Sequence, residues 1–318
     1  MTVAESRLER ILRSGAFGVT SDVGGGRSAD GSAVAKQARE LVGHADAVNV
    51  GDNPMASPHL SALAEAAFVA RAGLEPILQL TCRDRNRIGL TADLLGGWAL
   101  GARNVLCLTG DPVSVGDHPD ATGVYDLSVL DLVRLAAGLR HEGLMLSGMT
   151  IEEAPRYFVG VGDSPLVEGY DPGRLEAKLD AGAGFVQTQI VYDVEALAAW
   201  ADAVRPLGIF ERAAVLVGVA PLHSLKMARW VNDRLPGVAV PEPFLRALEE
   251  AGPGAADEGV RQVVDEVRRL RRIPGIAGVH VMSFGKEEAV RRVIEGAGLF
   301  PRPPAAGYTR PRFADEGV

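Results

Sequence analysis

The stretch Gln79–Arg87, QLTCRDRNR, sets three arginines and an aspartate within five residues, directly after an apolar, strand-like approach. Such a cluster is either a solvated turn or an anion site. Arginines near glycine-rich turns and helix N-termini suit phosphate or pyrophosphate. Carboxylates at the ends of apolar runs, Asp22 and Asp111, suit proton transfer or hydrogen bonding to a nitrogen heterocycle. Gln187 and Gln189 lie within the apolar run FVQTQI. Gln189 carries a donor and an acceptor that can pair with an amide-like ring edge, or it is a satisfied core amide.

Several other chemistries lack their residues. Gly24-Gly25-Gly26 is followed by no Gly-Lys-Ser/Thr, which argues against a nucleoside-triphosphate loop. No Gly-x-Gly-x-x-Gly joins a strand to a helix with an acidic partner downstream, so a Rossmann site is not indicated. The six histidines show no metal-ligand spacing and no metal is expected. Cys82 and Cys107 each fall at a strand, where a small buried residue is the ordinary reading. A nucleophile elbow for Ser-His-Asp catalysis is missing.

The elements that must position the polar residues are legible as alternation. Strand-like runs fall at Phe17–Val23, Ala47–Val50, Ile77–Thr81, Val105–Thr109, Tyr157–Val161, Phe185–Ile190, Val215–Val219 and Val279–Met282, each followed by a helical pattern. The clearest helix spans Ser57–Gly73, with Ser57 as N-cap, Pro58 at the first helical position and Gly73 as the stop. Eight such units predict an α/β fold, a (β/α)8 TIM barrel, over an open doubly wound sheet. Helical stretches between Pro241 and Arg272 are extra helices before the eighth strand, and Gly143–Pro155 is a long approach to the fifth. We therefore expect a single barrel domain over 1–300 and an extended, Pro-rich C-terminal tail over 301–318.

A barrel collects its chemistry past the carboxyl ends of its strands. Those places hold Asp22; Gly51, Asp52 and Asn53; Cys82, Arg83, Asp84 and Arg85; Gly110 and Asp111; and Gly162 and Asp163. His223 follows the seventh strand.

Bulk composition sets the remaining bounds. With 318 residues, 47% of them apolar, the chain can bury a large core. A net charge of −8 argues against nucleic-acid or anionic-membrane binding. The first twenty residues lack a signal-peptide core, no run reaches membrane-spanning length, and two cysteines give no disulfide framework. A cytoplasmic location is expected, as is a homo-oligomer.

Ordered motifs at successive strand ends carry a family resemblance. VNVGDNP (Val48–Pro54), QLTCRDRNR, NVLCLTGDP (Asn104–Pro112), GDHP (Gly116–Pro119), KLDAGAGFVQTQIVYD (Lys178–Asp193) and GVHVMSF (Gly278–Phe284) resemble the methylenetetrahydrofolate reductase family, flavin-dependent (β/α)8 barrels. The resemblance runs from about Phe17 to Leu299. It implies FAD along the rim, with NAD(P)H and a tetrahydrofolate derivative taking turns on one flavin face. By motif position it assigns Gly51, Asp52, Asn53, Gln79, Thr81, Arg83, Asp84 and Arg85 to the flavin and its phosphates. Thr109, Gly110 and Asp111 would meet the ring, and Tyr125 and Asp126 the ribityl or adenosine side. Asp171 and Lys178 match positions that hold ribityl and diphosphate groups. Gln189 matches the glutamine that pairs with pterin or nicotinamide, and Gln187 beside it is expected to contact substrate.

The chain reads as a divergent member. Asp22 stands where the family has its catalytic glutamate, the following pair of prolines is replaced by glycines, and Gly51 replaces a threonine that contacts flavin. Two functions follow from the resemblance. One is FAD-dependent reduction of 5,10-methylenetetrahydrofolate to 5-methyltetrahydrofolate with NAD(P)H, in which Asp22 is the acid, Asp111 tunes flavin and pterin, and Gln189 orients the pterin. The other is a flavin-poor or flavin-free tetrahydrofolate-binding methyltransferase, working with an O-methyl or corrinoid methyl donor.

Overall fold

A computed structural model describes residues 5–235 and 237–309. Eight strands close into one parallel barrel in sequence order, β8 pairing back onto β1. They are β1 (Gly18–Val23), β2 (Ala47–Val50), β3 (Pro76–Thr81), β4 (Asn104–Leu108), β5 (Phe158–Asp163), β6 (Phe185–Ile190), β7 (Ala214–Val219) and β8 (Ile276–Val281). The helices are α1 (Arg7–Arg13), α2 (Ser32–Leu41), α3 (Ala62–Ala72), α4 (Arg87–Ala99), α5 (Val129–Glu142), α6 (Pro172–Asp180), α7 (Val194–Val204), α8 (Ile209–Arg212), α9 (Leu225–Arg234), α10 (Glu242–Ala251), α11 (Ala255–Leu270) and α12 (Glu287–Gly296). The extra helices before the last strand are α10 and α11. No described helix is long and apolar enough to cross a membrane.

Two strands differ by two residues or more at an end from the sequence reading, and four others by one. β8 begins at Ile276, upstream of the expected Val279, because glycines interrupt the apolar run there. At Gly278 a Cβ would lie 2.5 Å from the Gly18 carbonyl oxygen, so the close approach at the barrel seam requires glycine. β5 continues to Asp163 and delivers that carboxylate to the rim.

The helix expected from Ser57 starts later. Asn53, Met55 and Ala56 take positive φ in a tight 3-10 turn, and the Leu60 N–H is held by the Gly26 carbonyl at 2.9 Å. The N-cap is Ser61, whose side chain accepts from Ala64 N, and Gly73 ends α3 at φ 104.

Alternation with period two divides each strand into an inward and an outward face. Outward residues pack under the helices in one large apolar core. Inward residues form layers along the barrel axis. The lowest is apolar: Ile77, Leu106, Phe158, Phe185 and Leu216, closed from below by Leu8 of α1. Above it, Thr20, Asn49, Gln187 and His280 form a buried polar layer. One step further along β1 stands Asp22.

The amino end is sealed by charge pairing. Buried Asp46 accepts from Arg7 at 3.2 Å and from Arg302 at 2.6 Å, and Arg302 also donates to the Phe17 carbonyl. The first part of the expected extended tail is thus docked on the barrel by a buried arginine. Its remainder, 310–318, lies outside the described residues.

Candidate active site

A cavity of about 370 Å³ opens at the carboxyl end of the barrel, at the seam between the first and last strands. Its walls include Asp22, Gly24, Asn49, Gly51, His59, Glu65, Gln79, His280, Ser283 and Glu287. A second cavity, of about 290 Å³, lies at the amino end, where Arg7 and Arg302 are already paired with Asp46. The chemistry of a barrel belongs to the first.

The polar layer makes the floor. Asn49 donates to Gln187 Oε1 at 2.8 Å, and Gln187 Nε2 lies 3.2 Å from Thr20 Oγ1 and 3.3 Å from Asn49 Oδ1. Thr20 Oγ1 meets His280 Nδ1 at 3.0 Å. Burial pushes the His280 pKa down to about 4, so its imidazole is neutral near pH 7. These bonds fix the floor as one unit.

Asp22 rises from that floor. Its Oδ1 accepts the Ser283 N–H at 2.6 Å, and Ser283 Oγ lies 3.3 Å from the Asp22 carbonyl oxygen. Burial raises its pKa to about 6, the Ser283 hydrogen bonds oppose that rise, and the nearby Glu287 carboxylate adds to it. A half-buried carboxyl that can hold a proton close to neutral pH is suited to general acid work.

Glu65 is a second such group, and the sequence reading did not single it out. It sits on α3 with 1% exposure, and its Oε1 accepts the Gly25 N–H at 2.6 Å. Burial lifts its pKa to about 7, against the pull of the Gly25 and Gly51 N–H groups. Its second oxygen, Oε2, completes no hydrogen bond. A signal was available: in ALAEAAFVARA, Glu65 shares a helical face with Ala62, Ala66 and Val69, all buried, so its charge lies on the apolar side. Ser283, Glu287 and His280 were also passed over. They stand at or beyond the end of β8, whose start glycines obscured.

The QLTCRDRNR cluster builds its own loops. Arg83, 2% exposed, grips Asp84 through Nε at 2.7 Å and Nη2 at 2.8 Å, and donates to the carbonyls of Asp111 and Asn53. Arg85 bridges buried Asp52 and half-buried Asp93, while Asp52 also accepts the Thr81 N–H at 2.6 Å. Asn53 adds a bond to Asp84 at 3.1 Å. Both guanidiniums that were expected to hold phosphates are therefore engaged by carboxylates of the protein.

The other expected residues follow the rim from β2 to β6. Gly51 and Gln79 line the cavity with Asp22. Thr81 is buried, and its Oγ1 has no partner. Thr109 and Asp111 are exposed, Gly110 lies at φ +89, and Asp111 Oδ2 accepts the Met55 N–H at 2.9 Å. Tyr125 is exposed, and Asp126 is paired with Arg87, which holds its pKa down at about 2. Asp171 caps α6 through Gly173 N at 3.0 Å. Lys178 donates to the Gly162 carbonyl at 2.7 Å and stands 3.9 Å from Asp163. Gln187 is turned into the floor. Gln189, half-buried at the end of β6, accepts the Ile190 N–H at 2.9 Å. Asp22, Asp111 and Gln189 thus share one end of the barrel, but of the three only Asp22 lines the cavity. Cys82 and Cys107 are buried, and burial raises both thiol pKa values.

The family model described as methylenetetrahydrofolate reductase matches residues 7–298. "Methylenetetrahydrofolate reductase 1" of Schizosaccharomyces pombe is 28% identical over 241 residues, covering 71% of this chain and 36% of that protein. The chain thus spans only about a third of that relative's length. The "5,10-methylenetetrahydrofolate reductase" of Salmonella typhimurium is 25% identical over 240 residues, 73% of each chain. Among solved structures, an uncharacterized Clostridium thermocellum protein that binds two copies of 5-methyl-5,6,7,8-tetrahydrofolic acid has the same fold. It aligns with a TM-score of 0.61 at 13% identity, over 92% of this chain and 98% of that one. With the family pattern running through every strand of the barrel, the chain belongs to the methylenetetrahydrofolate reductase family.

Proposed function

We propose that this protein reduces 5,10-methylenetetrahydrofolate to 5-methyltetrahydrofolate, with NAD(P)H as the source of hydride. The observation that carries the reading is Asp22: a carboxyl at the mouth of a family barrel, with its pKa lifted to about 6. The reaction needs one proton and one hydride. Asp22 gives its proton to the folate nitrogen N10, the bond from N10 to the bridging carbon breaks, and an iminium remains on N5. Hydride then adds to that carbon, and Asp22 regains a proton from solvent. General acid help of this kind typically contributes about 10²–10⁴ in rate. Neutral His280 and the amides beside it keep the floor uncharged.

The rim residues fit FAD as the relay. Thr109 and Tyr125 are exposed along the rim. Gly110 brings its backbone close to the β3 end, where a Cβ would lie 3.0 Å from those of Thr81 and Arg83. At Gly51 a Cβ would meet only Pro54, at 3.4 Å, which leaves that side open. In this reading Thr109, Gly110, Asp111 and Tyr125 hold the ring and ribityl parts, while Asp171 and Lys178 serve the ribityl and diphosphate groups. Arg83 and Arg85 act indirectly, by shaping the loops. Bound FAD would supply a two-electron step between nicotinamide and folate.

The second reading, a flavin-free tetrahydrofolate-dependent methyltransferase, is favoured by the internal pairing of Arg83 and Arg85. A visible spectrum and a turnover assay separate the two. The reductase reading expects flavin absorbance and methylenetetrahydrofolate-dependent oxidation of NADH or NADPH, with 5-methyltetrahydrofolate as product. A colourless protein that binds tetrahydrofolate and oxidises neither nicotinamide would overturn it.

A further inference from the structure

We propose that Glu65 is a positioning residue for Asp22, and that it restrains the Gly24–Gly25 loop most firmly while its carboxyl is ionised. The inference rests on the reductase reading for its kinetic consequence, but the geometry stands without it.

Glu65 Oε1 lies under the loop that leaves β1. It accepts the Gly25 N–H at 2.6 Å, and a Cβ on Gly24 would be 3.9 Å from the same oxygen. Gly24 N–H goes to Gln37 Oε1 of α2 at 2.9 Å. Gly25 is packed so closely on Leu60 and Val34 that a Cβ there would lie 3.0 and 3.1 Å from their side chains. Glycines leave the backbone free to move, and here two acceptors restrain it. A proline at position 25 could make no such bond, having no N–H. Gly51, just past the end of β2, lines the same cavity as Glu65. One buried group therefore restrains the loop that follows Asp22.

Charge decides how well it does so. The Gly25 N–H bond to an ionised carboxylate is charge-assisted and roughly twice as strong as the bond to a neutral carboxyl, which still accepts through Oε1. Burial raises the Glu65 pKa to about 7, so the strap changes state near neutrality. The titratable groups facing the same cavity are Asp22 of β1, His59 of the β2 loop, His280 of β8 and Glu287 of α12. Gln37 of α2 and Gln79 of β3 are neutral, and among the described residues no lysine or arginine lines the cavity to hold Glu65 ionised. The location of Glu65 in the first turn of α3 favours the anion through the helix dipole. Asp22 as acid must be protonated while Glu65 restrains the loop best when ionised, so the two requirements oppose each other across pH.

The test compares wild type with Glu65→Gln and Gln37→Ala. Wild-type kcat/KM for methylenetetrahydrofolate should fall on both sides of a maximum between pH 6 and 7. Glu65→Gln should keep the fall at high pH, lose the fall at low pH, and be about tenfold less efficient at the maximum. Gln37→Ala, which loosens the same loop without removing a titrating group, should keep both limbs. Hydrogen exchange tests the strap without any folate. Amides of Asp22–Gly31 should exchange about tenfold faster in Glu65→Gln, with β4–β6 unchanged. In wild type, their protection, corrected for intrinsic rates, should rise from pH 6 to 8, which keeps the test alive if the variant fails to fold. Unchanged protection, or a Glu65→Gln enzyme with the wild-type acid limb, overturns the proposal. The predicted exchange without any folate turnover would instead sink the reductase reading and leave the strap standing.

Discussion

Asp22 Oδ1 accepts the backbone N–H of Ser283 at 2.6 Å, joining the first strand to the loop two residues past the end of the last one. The candidate acid is therefore aimed by the seam that closes the barrel. A glycine-rich loop follows Asp22, yet the carboxyl itself is tied to the loop after β8 on one side and rises from the Thr20 layer on the other. The shorter side chain of aspartate thus stands on a well-supported backbone.

Replacing the acid should separate proton delivery from hydride supply. Asp22→Asn keeps an oxygen that can accept the Ser283 N–H but carries no acidic proton. Folate reduction should drop by about 10²–10⁴, while reduction of bound flavin by NAD(P)H stays within a few-fold of wild type. Stopped-flow absorbance at the flavin band, run separately with each substrate, measures both halves. Full folate turnover by Asp22→Asn would remove Asp22 from the mechanism.

The same variant should be more stable than wild type at neutral pH. The Asp22 pKa is raised in the folded state, from 3.8 to about 6, so the folded protein holds that proton more tightly than the unfolded chain. The stabilisation from proton binding is full below pH 3.8 and is lost as pH rises through 6. The loss amounts to up to about 3 kcal/mol. Asp22→Asn has no such loss, so its advantage should grow from pH 4 to 7 and then level off. Urea midpoints across that range check this, and a difference independent of pH would contradict the burial of Asp22.

The barrel was legible because its strands are short β-branched runs whose ends carry polar residues, as at Asp22, Asp52 and Asp111. What the sequence concealed is where side chains point. Arg83 and Arg85 look like phosphate ligands as text, but Asp84 and Asp52 lie close enough to claim them once the loops fold. Ser57-Pro58 has the form of a helix start, and loses to Ser61 because the preceding turn needs positive φ at three residues. Glu65 escaped notice because it lies far from any strand end, and only the folded α3 brings it beneath Gly25.

The two kinds of rim cation should respond differently to removal. Arg85→Ala leaves Asp52, 5% exposed, without its ion pair, and should cost about 1–3 kcal/mol of stability, Arg85 itself being partly exposed. Lys178→Ala removes one bond to the Gly162 carbonyl and should cost less, while weakening FAD by roughly tenfold if Lys178 serves the diphosphate. Urea unfolding and FAD titration on both variants provide the comparison. Equal FAD affinity in wild type and Lys178→Ala would take that lysine out of the cofactor site.

Gln187 offers the sharpest contrast between a substrate contact and a floor residue. Its amide is 4% exposed and bonded to Asn49 and Thr20, so a folate would have to displace those bonds to reach it. Gln187→Ala would leave Asn49 and Thr20 short of partners in a buried layer, costing about 1–3 kcal/mol. The loss of packing adds to that figure, because the layer sits directly on the apolar plug around Phe185. KM for the folate should change by less than about threefold, since the cavity still presents Asn49, His280 and Asp22. A matched Asn49→Ala variant should lose stability in a non-additive way with Gln187→Ala, as residues sharing one hydrogen bond do. If Gln187→Ala instead raised KM about a hundredfold with unchanged stability, Gln187 would be a substrate ligand, and the polar layer would have to open when folate binds.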